Sequence, residues 1–401
     1  MRFPMVLLRV CQRWRVIAIA TPTLWTDIVI LASNEDHLLD LDAARLYVER
    51  SGSRPISLIW KHRRWNQHPV IQSVFLPAAP RLKNITILTV GSNARDSLLV
   101  ILEAISFPIL EWLRCDADWE TSLATVNIRA PHLRHGVFID YMIPAGTFSS
   151  LVALEIILSR LMRQFDAAAF FDLLYNIAQT LKYLRLRTPN RALKNYTPST
   201  LNIQLPELVV LDLRSASELL LFVSTPNLHT LCLEGYIGDT VSPFTSFDAP
   251  MLTRLQLEKV PLFDLETVPD FPWRFQELET VILRQCSSAQ SFFCHAASNR
   301  HGVPAFPSLH SIIFSDPNVF PSVRSMVEGW KVANPNRPTL KRIRFICAGN
   351  LVVNDVEWIT AQGIEFSRTR TQESHGSQHH SDMLIINSFF TSGQLFWSTK
   401  R

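Results

Sequence analysis

Apolar runs long enough to cross a membrane are missing from this sequence, although hydrophobic residues make up 47% of it. A spanning helix needs a run of about 18 or more apolar residues, and no such run exists. The apolar start of the chain is interrupted by Arg9, Arg13 and Arg15, and no small-residue cleavage site follows, which argues against a secretory signal. We therefore expect a cytoplasmic or nuclear protein with no membrane partner.

Cysteine is scarce, and the six cysteines are scattered without any Cys-x-x-Cys spacing. This pattern predicts neither a disulfide framework nor a zinc site. It favours small buried hydrophobic residues in a reducing compartment. The six positions are Cys11, Cys115, Cys232, Cys286, Cys294 and Cys347.

Motifs that carry catalysis are absent as well. The sequence has no glycine-rich nucleotide loop, no Gly-x-Ser-x-Gly and no His-Glu-x-x-His. His375, His379, His380 and Asp382 are metal-ligand types, but their Ser/Gln/Gly surroundings offer little to fix a geometry, so a solvated loop is favoured. We predict that the chain is not an enzyme and that it binds no metal or other cofactor.

Positive charge is in slight excess, with a net charge of +4, but its location argues against a nucleic-acid partner. Residues 1–64 contain ten Lys/Arg and six Asp/Glu, whereas the remaining residues contain 29 of each. A nucleic-acid binder is expected to concentrate its basic residues on the binding surface. The short basic run at 61–64 is typical of a solvated loop, with phosphate contact or a nuclear signal as the alternative.

What the sequence does contain is a repeated phrase, approximately Pro-x-Leu-x-x-Leu-x-Leu. Its clearest copies begin at Pro206, Pro226 and Pro250. Eleven copies occur, and their leading leucines are separated by 18 to 31 residues. The leading residues are Leu82, Leu110, Leu133, Leu151, Leu181, Leu208, Leu228, Leu252, Leu278, Leu309 and Leu340.

This spacing brackets the period of leucine-rich repeats, in which each unit supplies one strand and a returning helix or loop. The three apolar positions point inward, and the final Leu-x-Leu alternates like a strand with one buried face. Helix-compatible stretches lie at 96–105, 166–179, 288–298 and 321–332, and Asp166 suits an N-cap. The predicted fold is α/β: an irregular leucine-rich-repeat solenoid with a parallel sheet on its concave side and helices and loops on its convex side.

Solenoids bind partners along the concave surface, so the outward-facing residues of the sheet are the candidate binding site. Neighbouring strands lie about 4.8 Å apart, so Glu155, Arg185 and Asp212 should be neighbours that either pair with one another or contact a partner. Ile282 and Ile313 are expected to form an exposed apolar spot, for a partner or for cover by the C-terminal tail. The candidates for binding a protein substrate are Arg114, Glu155, Arg185, Arg187, Asp212, Arg214, Glu234, Gln256, Ile282 and Ile313.

The N-terminal residues have helical periodicity. Leu7, Val10, Cys11, Trp14 and Ile17 recur at i, i+3 and i+4 spacing, and the Thr-Pro pair that follows ends the helix. From periodicity alone, this segment is a capping helix that covers the end of the solenoid core.

The same residues carry a resemblance. Val-Cys-x-Arg-Trp-Arg-x-Ile-Ala from Val10, followed by Pro-x-Leu-Trp from Pro22, resembles the second half of an F-box. The continuation over 47–58 is similar to the stretch after the F-box in a large fungal family of F-box and leucine-rich-repeat proteins. The Leu-Pro-x-Glu-like phrase that opens an F-box has no counterpart here, where Phe3-Pro4 stands ahead of the second half, so the F-box is incomplete at its N-terminus.

In that family the F-box docks on the small adaptor subunit of SCF-type (cullin-RING) ubiquitin ligases, and the repeats present a substrate for ubiquitin transfer. The resemblance therefore implies a substrate-recognition subunit, with the SCF adaptor, its cullin complex and an unidentified protein substrate as partners. The residues that the resemblance assigns to the F-box core and the adaptor contact are Leu7, Val10, Cys11, Trp14, Ile17, Pro22, Leu24 and Trp25.

Three regions are expected along the chain. They are a short all-α, partial F-box-like segment over 1–45, a solenoid of eleven irregular repeats over 46–350, and a C-terminal cap with a polar tail over 351–401. The alternative function is a non-ligase protein-interaction scaffold whose N-terminal helix only caps the solenoid.

Overall fold

A computed structural model describes most of the chain. Among the helices that it describes, the longest have 14 residues, and none combines the length and hydropathy of a membrane span. The described residues are 3–32, 37–62, 74–90, 103–118, 124–125, 128–142, 148–158, 165–188, 193, 202–235, 244, 247–260, 274–286, 289–297, 306–333, 340–346 and 353–369.

The central feature is an open sheet of 14 parallel strands whose order in the sheet follows their order in the chain. With helices in several of the connections, this sheet gives a mixed α/β fold. The strands are β1 (Asp27–Ala32), β2 (Ile56–His62), β3 (Leu82–Val90), β4 (Trp112–Asp118), β5 (His135–Ile139), β6 (Ala153–Ile157), β7 (Tyr183–Arg187), β8 (Val210–Arg214), β9 (Thr230–Glu234), β10 (Arg254–Glu258), β11 (Thr280–Arg284), β12 (Ser311–Phe314), β13 (Arg342–Ile346) and β14 (Glu365–Thr369).

The repeated phrase accounts for eleven of these strands, β3 to β13. All eleven leading leucines are buried, and each lies at or shortly before the start of its strand. Leu211, Leu231 and Leu255 stand on one register line across β8, β9 and β10, and the next apolar positions pair in the same way. The predicted parallel strands with one buried apolar face are confirmed.

Three strands lie outside the repeated phrase. β1 and β2 form near the N-terminus, and β14 forms near the C-terminus. The expectation of an all-α segment over 1–45 is wrong, because β-branched residues at 28–30 favour a strand, in which Ile28 and Ile30 are buried. The sheet therefore continues across both of the boundaries that the sequence predicted, at 45 and 350.

Helices precede the sheet and also occupy several connections between its strands. They are α1 (Phe3–Val10), α2 (Gln12–Ile19), α3 (His37–Arg50), α4 (Ala167–Ile177), α5 (Ala289–Ala297), α6 (Phe320–Ala333) and α7 (Val353–Ala361). α4 begins as predicted after Asp166, whose side chain accepts a hydrogen bond from the Ala169 backbone N–H. The helices predicted near 288–298 and 321–332 are also confirmed as α5 and α6, whereas most of 96–105 lies outside the described residues.

The helix predicted at the N-terminus is broken at Cys11. This residue has an extended backbone, which separates α1 from α2. The Arg15 side chain donates a hydrogen bond across the break to the Leu8 backbone oxygen. Trp25 follows α2, is buried, and donates from its indole N–H to the Ala18 backbone oxygen at 2.7 Å. The segment therefore folds as two short helices and not as one continuous stripe.

Arg81 connects the end of α3 to the start of β3. Its guanidinium donates hydrogen bonds to the backbone oxygens of Val48 and Gly52 and to the Ser51 hydroxyl. The last carbonyls of a helix have no partner within the helix, and that of Val48 accepts from both Arg81 and the Ser51 hydroxyl. One side chain thus holds α3 against the first strand of the repeated phrase.

Gly136 occupies an inward position at which the other ten copies of the phrase have an apolar side chain. The Phe138 ring fills the missing volume, because a Cβ at residue 136 would lie 2.5 Å from the Cε2 atom of that ring. Since Phe138 is fully buried, we expect Gly136→Ala to lower the free energy of unfolding by about 1–3 kcal/mol through overpacking. Urea unfolding of the two proteins would measure the loss.

The control is the same substitution in a Phe138→Leu background, where the smaller side chain leaves room for the added methyl group. We expect Gly136→Ala to cost clearly less there. An equal cost in both backgrounds would show that the Phe138 ring is not what the new Cβ meets.

Candidate functional site

The residues that alternate with the buried positions form three rows on the polar face of the sheet. The central row contains the residue between the two buried positions of each strand. The proximal row contains the residue two positions before the central one in the chain, and the distal row contains the residue two positions after it. In β10, Arg254 is proximal, Gln256 central and Glu258 distal. The parallel register places residues of one row side by side on adjacent strands.

Arg185 is the centre of an ion-pair network in the central row. Its Nε lies 2.6 Å from Oδ2 of Asp212 on β8, and its Nη1 lies 3.5 Å from Oε2 of Glu155 on β6. All three side chains are only 10–13% exposed. The predicted proximity of these residues is confirmed, and the network is more buried than the expected pairing across exposed strands.

Burial and charge act in opposite directions on Arg185. Burial lowers the pKa of Arg185, but Asp212, Tyr183 and Glu155 together raise that pKa by more, so it lies above its ordinary value. Burial and then Glu155 raise the pKa of Tyr183 in the proximal row. Burial and then Asp212 raise the pKa of Cys232 to about 12. At physiological pH the arginine is therefore charged, whereas the phenol and the thiol are neutral and unsuited to act as nucleophiles.

A second chain of ion pairs runs along the distal row. Arg214 lies 3.2 Å from Glu234 and 3.6 Å from Asp212, which links the distal row to the central one. Lys259 lies 3.1 Å from Glu234 and 3.9 Å from Glu258. The sequence pattern did not single out Lys259, because it follows β10 in a left-handed backbone conformation (φ +54°) and so falls outside the alternation of the strand.

Two arginines of this face stand apart from the ion pairs. Arg187 is exposed in the distal row of β7, and Arg254 is half-buried in the proximal row of β10. Neither has a carboxylate within ion-pair distance among the residues that the structure describes. The sequence pattern singled out Arg187 but not Arg254, because only the central and distal rows were identified from it.

The remaining candidates of the sheet do not join these networks. Arg114 pairs at 3.2 Å with Asp116 of its own strand. Ile282 is 1% exposed, so the expected exposed apolar spot is wrong at this residue. Its register neighbours Gln256 and Ile313 flank it on the two adjacent strands, and Ile313 itself is half-buried.

The N-terminal candidates divide into a buried set and an exposed set. Trp25 is buried, with its ring edge-on to that of Tyr47 at 5.1 Å and the Arg50 guanidinium 5.1 Å from its centroid. Leu7 and Leu24 are partly buried against the core. These residues attach the segment to the rest of the fold.

The exposed set consists of apolar residues of α1 and α2, which we term the N-terminal patch. Its side chains are 40–59% exposed, and Pro22, which follows α2, is exposed as well. A capping helix would bury its apolar stripe, so the expectation that this stripe covers the core is wrong for much of its length. The N-terminal patch consists of Val6, Val10, Trp14, Val16, Ile17 and Ile19.

Metal-ligating side chains do not cluster in the described part of the chain, where no group of three or more His, Cys, Asp and Glu is placed to hold an ion. The histidine cluster that ends at Asp382 lies outside the described residues, as does Cys347. Three of the cysteines expected to be buried are buried. Cys11 and Cys294 are exposed, the first because the helix that was expected to bury it breaks there.

No family model matches the chain, and no curated protein matches it. The geometry of the polar face and of the N-terminal patch therefore provides the basis for interpreting function.

Removal of Arg185 should leave two poorly solvated carboxylates close together. Because Glu155 and Asp212 are as buried as the arginine, we expect Arg185→Ala to lower the free energy of unfolding by about 3–5 kcal/mol. Lys182→Ala is the control, because Lys182 is exposed and lies 4.0 Å from Glu207, so a loss below about 1 kcal/mol is expected. Urea denaturation measures both values, and similar small losses would contradict the importance of the Arg185 network.

Glu258 is a carboxylate whose surroundings disfavour its charge. Burial and then Glu234 raise its pKa, which Arg284 and Lys259 lower only in part. Because the folded-state pKa exceeds the unfolded one, ionised Glu258 destabilises the fold at neutral pH, and this cost disappears as the pH falls below the unfolded pKa. We therefore expect the Glu258→Gln variant to melt at a higher temperature than the unaltered protein at neutral pH. This difference in melting temperature should narrow toward about pH 4.

Thermal denaturation at the two pH values checks this expectation. Glu207→Gln, at an exposed position, is the matched control and should change the melting temperature little at either pH. A difference in melting temperature for Glu258→Gln that does not depend on pH would contradict the raised pKa of Glu258.

Proposed function

We propose that the chain is an irregular leucine-rich-repeat solenoid that acts as the substrate-recognition subunit of an SCF-type ubiquitin ligase. In this proposal the N-terminal patch docks on the small adaptor subunit, which joins the chain to its cullin complex. The polar face, on the concave side of the solenoid, binds a target protein. The chain is itself non-catalytic, needs no cofactor, nucleic acid or membrane, and works in the cytoplasm or nucleus.

A backbone conformation that recurs after the strands supports the solenoid. The residue directly after β5, β8, β9, β10 and β11 is left-handed, with φ between 50° and 96°. Four of the five are not glycine, so the surrounding structure imposes this conformation at the same point of each unit. Such recurrence is expected when one structural unit stacks repeatedly on its neighbours. The five residues are Asp140, Ser215, Gly235, Lys259 and Gln285.

The exposure of the N-terminal patch is the main observation that supports the ligase role. Six apolar side chains on two contacting helices face solvent, and exposed apolar surfaces of this kind mark interaction sites. Trp25, by contrast, faces Tyr47 and the interior. The residues that resemble an F-box thus divide into a buried part and an exposed part, which supports the proposal that the exposed part contacts a partner.

The alternative, a scaffold whose N-terminal helices only cap the solenoid, draws support from Met5, Leu7 and Leu8, which pack against the core. Capping accounts for these three residues but gives Val10 and Trp14 no role. Capping and docking are compatible, because they use different faces of the same helices.

The adaptor contact can be tested with Val10→Glu combined with Trp14→Glu. In a pull-down with purified adaptor, we expect the unaltered chain to be retained and the variant to bind at least about tenfold more weakly, because two charges replace apolar contact surface. Since both side chains are exposed, the melting temperature should change little. Val332→Glu combined with Val353→Glu is the matched control, with two exposed valines changed on α6 and α7.

Failure of the unaltered chain to bind the adaptor would overturn the ligase role, as would an equal loss of binding in the control variant. A large fall in melting temperature with adaptor binding unchanged would instead favour the capping scaffold.

A further inference from the structure

The polar face between β6 and β11 has an excess of positive charge. Its described charged side chains, with Lys259 directly after β10 included, are six cations and four carboxylates, which leaves two positive charges unbalanced. Each carboxylate already has a cation within 4 Å. The carboxylates are Glu155, Asp212, Glu234 and Glu258, and the cations are Arg185, Arg187, Arg214, Arg254, Lys259 and Arg284.

The excess is located at Arg187 and Arg254, the two cations of this face that have no ion pair among the described residues. The neighbour of Arg187 on β8 is Arg214, a like charge whose own carboxylate partners are Asp212 and Glu234. Among the described residues, no opposite charge therefore neutralises Arg187.

Arg254 lies between Thr230 and Thr280 in the proximal row, with no charged residue beside it in register. Its Nε is buried and has no hydrogen-bond partner. A buried N–H without a partner destabilises a fold, so the contacts of the described residues leave part of this guanidinium unsatisfied.

We propose that the polar face binds an acidic segment of the target protein, with one carboxylate-bearing end on Arg187 and the other on Arg254. This inference rests on the proposed function, because it assigns a chemical class to the partner of the same face.

The positions of the two arginines set the spacing of the acidic groups. Arg254 lies three strands from β7, in register with Tyr183, and Arg187 lies four residues beyond Tyr183 along that strand. At about 4.8 Å per strand and 3.3 Å per residue, their backbones are about 19 Å apart. An extended peptide covers this distance with about six residues.

The centre of that path offers no unpaired cation among the described residues. Cys232 and Asp212 lie between the two arginines in the central row. The thiol is neutral, and the carboxylate is paired with Arg185 at 2.6 Å and Arg214 at 3.6 Å. A segment with acidic ends and an uncharged middle therefore fits better than a uniformly acidic one. Asp212, Glu234 and Glu258 are interspersed among the cations of this face, whereas a nucleic-acid-binding surface is expected to be predominantly basic.

The probe is a fluorescein-labelled peptide, Glu-Glu-Ser-Gly-Ser-Gly-Glu-Glu, titrated with the full chain at low ionic strength and followed by fluorescence anisotropy. Two peptides serve as controls: one with glutamine in place of every glutamate, and one of the same composition with all four glutamates at one end. We expect the spaced peptide to bind most tightly and the glutamine peptide not to bind.

The protein variants are Arg187→Gln with Arg254→Gln and, as a control of equal charge change, Arg45→Gln with Arg324→Gln on α3 and α6. We expect the first pair to weaken binding of the spaced peptide at least about tenfold, which corresponds to the loss of one well-formed charge contact, and the control pair to have little effect. Melting temperatures should not fall for the first pair, because neither arginine has an ion pair to lose.

Three results would overturn the inference: no binding of the spaced peptide, equal binding of the glutamine peptide, or equal binding to the Arg187/Arg254 variant. Adaptor pull-down of the Arg187→Gln, Arg254→Gln variant distinguishes failure of this inference from failure of the ligase role, because the variant leaves the N-terminal patch unchanged.

Discussion

The fold depends on one constraint, the parallel backbone ladder that holds each inner strand in register between two neighbours. Parallel strands are not joined by tight turns, so their register is set by the burial of apolar side chains against those of the adjacent strands. A slip of one residue in β8 would expose Leu211 and bury the charge of Asp212 in the apolar core, and the ladder bonds oppose such a slip from both sides. Each strand therefore turns the same set of positions toward the core as its neighbours do.

The same constraint explains why the repeats tolerate irregular spacing. The leading leucines are 18 to 31 residues apart, yet β3 to β13 pair in one ladder. Doubling the length of a connection costs only about 0.6 kcal/mol, whereas truncating a buried leucine costs about 2–5 kcal/mol. Variation is therefore confined to the connections, which hold α4 after β6 but the short 3-10 helix Ser217–Leu221 after β8.

Eleven strands and the Glu155–Arg185–Asp212 contact were predictable from the sequence, because both follow from the spacing of leucines and the alternation of a strand. The strand around Ile28 was not, since it lacks the leading leucine on which the phrase depends. The break at Cys11 leaves the helical spacing intact on either side, so periodicity does not reveal it. The burial of Ile282 depends on its neighbours in space, which a linear pattern of exposed and buried positions does not contain.

The ion pairs of the polar face are better understood as setting specificity than as supplying stability. The desolvation of Arg185 and its two carboxylates offsets much of their attraction, so the network adds little net stability even though breaking it is costly. The network neutralises most of the face and leaves charge at two points. In the proposed function, a partner would then be selected by the spacing of its charges and not by general attraction. Of these two charges, that of Arg187 is exposed and is therefore screened by salt, with a Debye length of about 8 Å at physiological ionic strength. The apolar N-terminal patch has no such dependence, since removal of apolar surface from water is not an electrostatic effect. The two contacts of the proposed function therefore differ in their physical basis and in their dependence on salt.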